Sequence, residues 1–228
     1  MLKKKTVAFV PADNTHLEEF RKFENSLRKF HNEEDLPLLR FNNPSGDPRF
    51  WYRAKPVIAR TLIQEYECVI GFDADQIVTG DLSHIWEGDY DVATVLNDPS
   101  YPIQLWDIQP YFNNGLVVLK SEAFINHWYR LCLSSHFEKY QFREQDLLNI
   151  LCSDYHNYKV KCLDLGDKIH GEFAKPLWAK CELIGDKIMV GDKQLCMIHF
   201  GGGNIPNKGN YRIKFQPDVI KRIEQLIS

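Results

Sequence analysis

The chain has 228 residues, with 28 Lys and Arg against 31 Asp and Glu for a formal net charge of -3, and 44% of it is hydrophobic. That balance supports a sizeable core and lacks the basic footprint of a nucleic-acid binder or of a protein held on an anionic membrane. No apolar run approaches the ~20 residues of a bilayer span, and Thr6–Val10, stopped by Pro11, is too short for a secretory segment. The six cysteines are scattered without C-x-x-C spacing and read as buried thiols of a reducing, cytoplasmic setting, not as zinc ligands. The length fits one α/β domain over residues 1–228.

In chain order, Thr6–Val10 is a buried first strand ending in the turn cluster Pro11-Ala12-Asp13-Asn14. From His16 to His31, Leu17, Phe20, Phe23, Leu27 and Phe30 recur at helical spacing. Leu38–Phe41 is a second strand, and a Pro- and Gly-rich loop follows to Pro48. Pro56 opens a helix at a favoured first-turn position, and Cys68–Phe72 is a strand. Gly80–Trp86 reads as a turn into a short helix capped by Asp81 or Ser83. Asp91–Val95 is a strand, Leu96–Tyr111 a long polar and aromatic connection, and Gly115–Leu119 a strand entered through Phe112-Asn113-Asn114. Ser121 caps a helix to about Leu133, a helix covers Glu144–Cys152, and Tyr158–Leu163 is a strand. The Gly-Asp pairs at 185 and 191 predict a hairpin within Leu183–Phe200. A glycine-rich loop, Gly201–Asn210, and an amphipathic helix, Pro217–Ile227, close the chain. Strands alternating with helices, then hairpins, imply a layered α/β domain with a mixed sheet.

The chemistry concentrates on Gly71-Phe72-Asp73-Ala74-Asp75. In extended chain the two carboxylates point to one side, with α carbons about 6.5 Å apart. So close a pair repels, and a divalent cation with hard oxygen ligands, magnesium or manganese, resolves the conflict. His199 ends an apolar strand before Gly201-Gly202-Gly203, where imidazole can add a ligand and glycine amides can approach a phosphate. Lys208 can neutralise a diphosphate, and Asn113 with Asn114 offers donors and acceptors to sugar hydroxyls. Glu144, Gln145 and Asp146 stand at a helix start. Taken singly, each has an ordinary structural explanation; their order along the chain is the stronger signal.

That order resembles the family 8 retaining glycosyltransferases. Phe72-Asp73-Ala74-Asp75, with Gly80-Asp81-Leu82 and Trp86, is similar to the family's metal motif; Tyr111–Gly115 to its F-N-x-G strand entrance; and Glu144–Asn149 to its D-Q-D-x-L-N helix, with Glu144 in place of the first aspartate. Val10–Asn14 resembles its nucleotide-binding turn, Arg60 the arginine before its metal strand, and His199 with Gly202 its H-x-x-G segment, although no Lys-Pro-Trp follows and Lys208 is the stand-in. The resemblance implies a GT-A fold of nucleotide-diphospho-sugar transferases, with a mixed central sheet flanked by helices. It implies metal-dependent sugar transfer, with retention, from a UDP-sugar to a carbohydrate or glycoconjugate acceptor, and Mn2+ or Mg2+ as cofactor. Asp73, Asp75 and His199 would be the metal ligands. Pro11, Ala12, Asp13, Asn14, Arg60, Asp73, Ala74, Asp75, Asn113, Asn114, Gly202 and Lys208 would hold the donor, and Glu144, Gln145 and Asp146 would line its reactive face. A nucleotidyltransferase of sugar phosphates and a non-catalytic nucleotide- or carbohydrate-binding module remain alternatives. Trp106, Phe173 and Trp178 are candidates to stack on acceptor sugars.

Overall fold

The computed structural model describes residues 4–43, 48–97, 108–135, 137–153, 156–163, 169–170, 179–200 and 215–228. Its strands are β1 (Lys4–Pro11), β2 (Leu38–Phe41), β3 (Tyr66–Phe72), β4 (Gln76–Val78), β5 (Val92–Leu96), β6 (Phe112–Leu119), β7 (Val160–Leu163), β8 (Ile169–His170), β9 (Cys181–Ile184), β10 (Lys187–Val190), β11 (Lys193–Gln194) and β12 (Met197–His199). The α-helices are α1 (Leu17–Arg28), α2 (Ala54–Leu62), α3 (Glu122–Leu133), α4 (Glu144–Cys152) and α5 (Pro217–Ile227). No described helix is long and apolar enough to cross a membrane.

The six-stranded sheet runs β2-β1-β3-β6-β5-β7. β1, β2 and β3 are parallel, β6 is antiparallel to both β3 and β5, and β7 is parallel to β5. Helices α1 and α2 connect the parallel strands, as parallel pairing requires. One face packs Phe20, Phe23 and Leu27 of α1 on Ala8, Ile70 and Phe72. The other packs Ile58 and Leu62 of α2, Phe124 and Trp128 of α3 and Leu148 of α4 on Phe9, Val69 and Val117. Covered on both faces, β3 is apolar along its length except for Glu67. At Gly71 an added Cβ would lie 2.9 Å from the Phe9 ring, so only glycine lets this ring cross the strand. A smaller core of Ile77, Ile198, Phe200 and Ile223 joins α5 to β4-β12-β8 and the β9-β10-β11 meander.

Several boundaries differ from the sequence reading for local reasons. Helix α2 starts at Ala54, with Pro56 third; the first four helical N–H groups have no intrahelical acceptor, so proline still fits there. β6 starts at Phe112 because Asn113 pairs with Val95 of β5, an early bond that a turn-like Asn-Asn-Gly does not announce. The expected hairpin is two: Gly185 and Gly191, at φ 65° and 63°, supply the left-handed turn positions. The short helix is a 3-10 turn, Ser83–Trp86, with Leu82 at its N-cap position; Asp81, one residue earlier, closes the turn before it, its Oδ1 accepting from Ser83 N and Oγ. Residues 98–107, 164–168, 171–178 and 201–214, with Trp106, Phe173, Trp178, Gly202 and Lys208, lie outside the described residues.

Candidate active site

The two aspartates sit where the main sheet hands the chain to a second one. β3 ends at Phe72, Asp73 N donates to Gly115 O at 3.0 Å, and the chain turns at Ala74 and Asp75 instead of staying extended. It resumes as β4, antiparallel to β12, with Gln76 opposite His199. Phe200 N donates to Asp75 O at 3.0 Å, and Ala74 is buried in the core. The turn therefore brings the carboxylates together by pinning both ends, without the extended pair expected from the spacing.

One ligand atom each from Asp73, Asp75 and His199 lies within 4.8 Å of the others. His199 Nε2 is 3.0 Å from Asp75 Oδ1 and 3.4 Å from Asp73 Oδ2. Neighbouring ligands of an octahedral ion bound at about 2.1 Å stand about 3 Å apart, so the cluster matches the edge of such a shell. Two carboxylates and an imidazole are a donor set for a divalent cation. Ala74 contributes the buried hinge between the ligands.

The other oxygen of Asp73 belongs to a lysine that sequence reasoning missed. Lys55 Nζ, with a side chain 3% exposed, donates at 2.6 Å to Asp73 Oδ1 and at 2.6 Å to Asn114 O. A buried ammonium is tolerated only when paired and hydrogen-bonded, and both conditions hold. The available signal was its position: a cation in the first turn of a helix opposes the helix dipole and implies a specific anion partner.

Asn114 is aimed by a bulge. The β5–β6 register jumps from Thr94↔Val117 to Val95↔Asn113, leaving Asn114, Gly115 and Leu116 unpaired against β5. Thr94 Oγ1 bridges the gap by donating to Asn113 O and Leu116 O, and Gln76 Nε2 donates to Gly115 O. Helix α4 docks on this bulge. Asn149 closes both backbone groups of Phe112, at 2.6 and 2.9 Å, as a neighbouring strand would. Gln145 Oε1 accepts from Asn113 Nδ2 and Asn114 N, both at 3.1 Å, and Glu144 Oε1 accepts from Asn114 Nδ2 at 3.0 Å. Trp128, fully buried, donates its indole N–H to Glu144 O and fixes the first turn from below.

Glu144 is 8% exposed, its Oε2 has no hydrogen-bond partner, and burial pushes its carboxyl up to about 7 against the pull of Lys55 and Asn114. Asp146 differs from the expectation that it lines a sugar. It is wholly buried, with Oδ1 accepting from the Tyr111 hydroxyl and Oδ2 from Phe142 N. Burial raises its pKa against those two bonds. Its part is to position Tyr111, which also accepts from Gln145 Nε2. In the sequence Tyr111 is only the first residue of the strand-entrance motif; its role comes from Asp146 and Gln145.

In the first turn, Asp13 caps the short 3-10 turn Asn14–His16 that leads into α1, its Oδ1 accepting from Thr15 N, Thr15 Oγ1 and His16 N. These bonds, led by the Thr15 hydroxyl, hold its carboxyl down at about 2. Pro11 ends β1 opposite Phe41, Ala12 N donates to Phe41 O, and Asn14 is exposed at the same edge of the sheet. Arg60 does not join the cluster. Its Nε donates to Asn126 and its guanidinium stacks on Tyr129 of α3, on the exposed side of α2. Lys55, one and a half turns earlier in the same helix, is the cation that reaches Asp73.

No protein-family model matches this chain, and no curated protein does. Among solved structures it is similar to the galactosyltransferase LgtC in complex with donor and acceptor sugar analogs, with a TM-score of 0.70 at 15% identity over 97% of this chain and 95% of that one. It is also similar to the bifunctional glycosyltransferase WbbM (TM-score 0.66, 16% identity, 98% of this chain and 50% of that one). A third is GlyE of Streptococcus pneumoniae TIGR4 (TM-score 0.58, 16% identity, 98% of this chain and 63% of that one). Together with the mixed six-stranded sheet and its flanking helices, these likenesses establish that the chain has the GT-A glycosyltransferase fold.

Proposed function

We propose that the protein is a divalent-metal-dependent glycosyltransferase that takes a sugar from a UDP-sugar and passes it to a carbohydrate or glycoconjugate acceptor with retention. The observation that carries this reading is the shared carboxylate of Asp73. One oxygen belongs to the Asp73–Asp75–His199 cluster and the other to Lys55, whose second bond, to Asn114 O, leads into the Glu144–Gln145–Asn113 group. A site for charge and a site for hydroxyls are thereby contiguous, which suits a sugar esterified to a diphosphate.

In this reading Asp73, Asp75 and His199 hold Mn2+ or Mg2+, which when bound supplies Lewis-acid neutralisation of the leaving diphosphate, an effect worth several kcal/mol. Lys55 adds a fixed positive charge beside the same oxygens at no reorganisation cost during reaction. Pro11, Ala12, Asp13 and Asn14 border the nucleoside, and Gly202 with Lys208 serves the diphosphate. The locked amides of Asn113, Asn114 and Gln145 orient the donor sugar. Gln145 Oε1, already accepting two hydrogen bonds, is a poor nucleophile, which favours attack by the acceptor on the face the diphosphate leaves. Glu144, with a carboxyl that titrates near neutrality, is suited to accept a hydrogen bond or a proton from a sugar hydroxyl. Six free cysteines fit a cytoplasmic setting.

The test is a panel of nucleotide sugars incubated with manganese, with and without simple sugar acceptors, while free nucleotide is measured. Release of UDP from one donor, abolished by EDTA, is expected. No nucleotide release from any donor would remove the reading, and exchange of pyrophosphate would favour a nucleotidyltransferase instead.

A further inference from the structure

Tyr52 and Arg143 are close neighbours in sequence of Lys55 and Glu144, the two residues at the junction of the charge and hydroxyl sites, and they touch each other. The Arg143 guanidinium lies 4.0 Å from the Tyr52 ring centroid and 5.9 Å from that of Phe137. Phe137 is buried, and its ring also carries Arg53 at 4.2 Å. Two arginines thus flank one phenylalanine. Arg53 is met by Glu138 at 3.6 Å. Among the described residues no carboxylate pairs with Arg143. Arg143 also holds φ 46°, a left-handed backbone that a residue with a Cβ adopts only when its surroundings impose it.

A guanidinium laid on an aromatic ring keeps its N–H donors in plane at the edge, where they match the paired oxygens of a carboxylate or phosphate. Stacking also fixes the side chain beforehand, so less freedom is lost when an anion binds. The bonded series runs from Asp75 through His199, Asp73, Lys55 and Asn114 to Glu144, and Arg143 precedes Glu144 in the chain. Glu144, Gln145 and Asn113 are 8% exposed or less, whereas Tyr52 is 47% exposed. The Tyr52–Arg143 pair is thus next to Glu144 along the chain and more exposed than the buried group that Glu144 belongs to.

We infer that Arg143, backed by Tyr52, binds a carboxylate or phosphate on the acceptor, making this a transferase for acidic acceptors. The inference rests on the glycosyltransferase reading above. It is tested by calorimetric titration of the full chain, held in manganese and UDP, with methyl glucoside, methyl glucuronide and glucose 6-phosphate. At least one anion binds roughly 10- to 100-fold tighter than the neutral glucoside, the yield of a charge-assisted bidentate contact; which anion it is separates carboxylate from phosphate. Arg143→Met brings that ratio to about 1, and Arg143→Lys, which keeps the charge without the fork, leaves an intermediate ratio. Equal binding of all three compounds, or an unchanged ratio in Arg143→Met, overturns the inference. So does an Arg143-dependent preference for UDP-glucuronate over UDP-glucose with no discrimination among the acceptors, which would give the arginine to the donor. Turnover of a UDP-sugar without anion preference defeats this inference alone, whereas absence of any turnover defeats the glycosyltransferase reading with it.

Discussion

Replacing Glu144 by glutamine should change how stability depends on pH. The carboxyl is buried, one oxygen lacks a partner, and burial pushes its pKa up to about 7 from the 4.5 of an ordinary glutamate. Between those values the unfolded chain has released the proton that the folded chain still holds, so stability falls as pH rises. Integrated from about pH 5 to about pH 8, a shift of that size removes roughly 2.5 kcal/mol. Glutamine keeps the shape and can still accept from Asn114 Nδ2 through Oε1, but does not titrate. Buried His31, whose pKa burial lowers, acts in the opposite sense below the 6.5 of an ordinary histidine, and Asp13 exerts its effect below the acid range tested. Only the difference between wild type and variant therefore isolates Glu144. The assay is urea unfolding in EDTA at both pH values. Wild type should lose about 2 to 3 kcal/mol more than Glu144→Gln across the interval. Equal losses in the two proteins would refute the buried, uncompensated carboxyl.

Asp75→Asn should fold normally and lose metal-dependent turnover, since an amide replaces an anionic ligand; circular dichroism and UDP release check the two halves, and unchanged turnover in manganese sinks the assignment. Lys55→Met should cost roughly 2 kcal/mol, discounted from a fully buried pair because the Asp73 side chain is 35% exposed. In an Asp73→Asn background the same change should cost clearly less, and strict additivity in that double-mutant cycle would contradict the Lys55–Asp73 bond. Tyr111→Phe removes the hydroxyl between Asp146 and Gln145 and should cost about 1 to 3 kcal/mol in denaturant unfolding; a neutral result would mean that the buried acid is satisfied otherwise.

Elements whose signals are local were legible in the sequence. The α4 limits and β2 match because apolar periodicity and flanking turn residues act within a few positions, and Ser121 caps α3 as its type predicts. The metal cluster was legible through motif order, although the geometry behind it was not. The carboxylates converge through a turn clamped by Gly115 and Phe200, and their neighbour His199 arrives from 124 residues away. What stayed hidden depends on pairs distant in sequence. Lys55 gains its meaning only when Asp73 and Asn114 are beside it, and the three-residue β4 exists only because β12 pairs with it. Asp146 and Gln145 are adjacent in the motif, yet helix rotation buries Asp146 beneath Tyr111 while Gln145 meets the bulge. A motif identifies both residues without separating the one that holds Tyr111 from the one that meets the bulge.

The central claim is that Asp73, Asp75 and His199 hold a divalent cation that carries the nucleotide diphosphate. The most direct measurement is the dissociation constant of UDP, by titration calorimetry, in saturating manganese and in EDTA, for wild type and Asp75→Asn. Manganese should tighten UDP binding to wild type by about tenfold or more, the equivalent of ~1.4 kcal/mol, and this gain should vanish in the variant. UDP affinity indifferent to manganese, or a gain that survives Asp75→Asn, would contradict it.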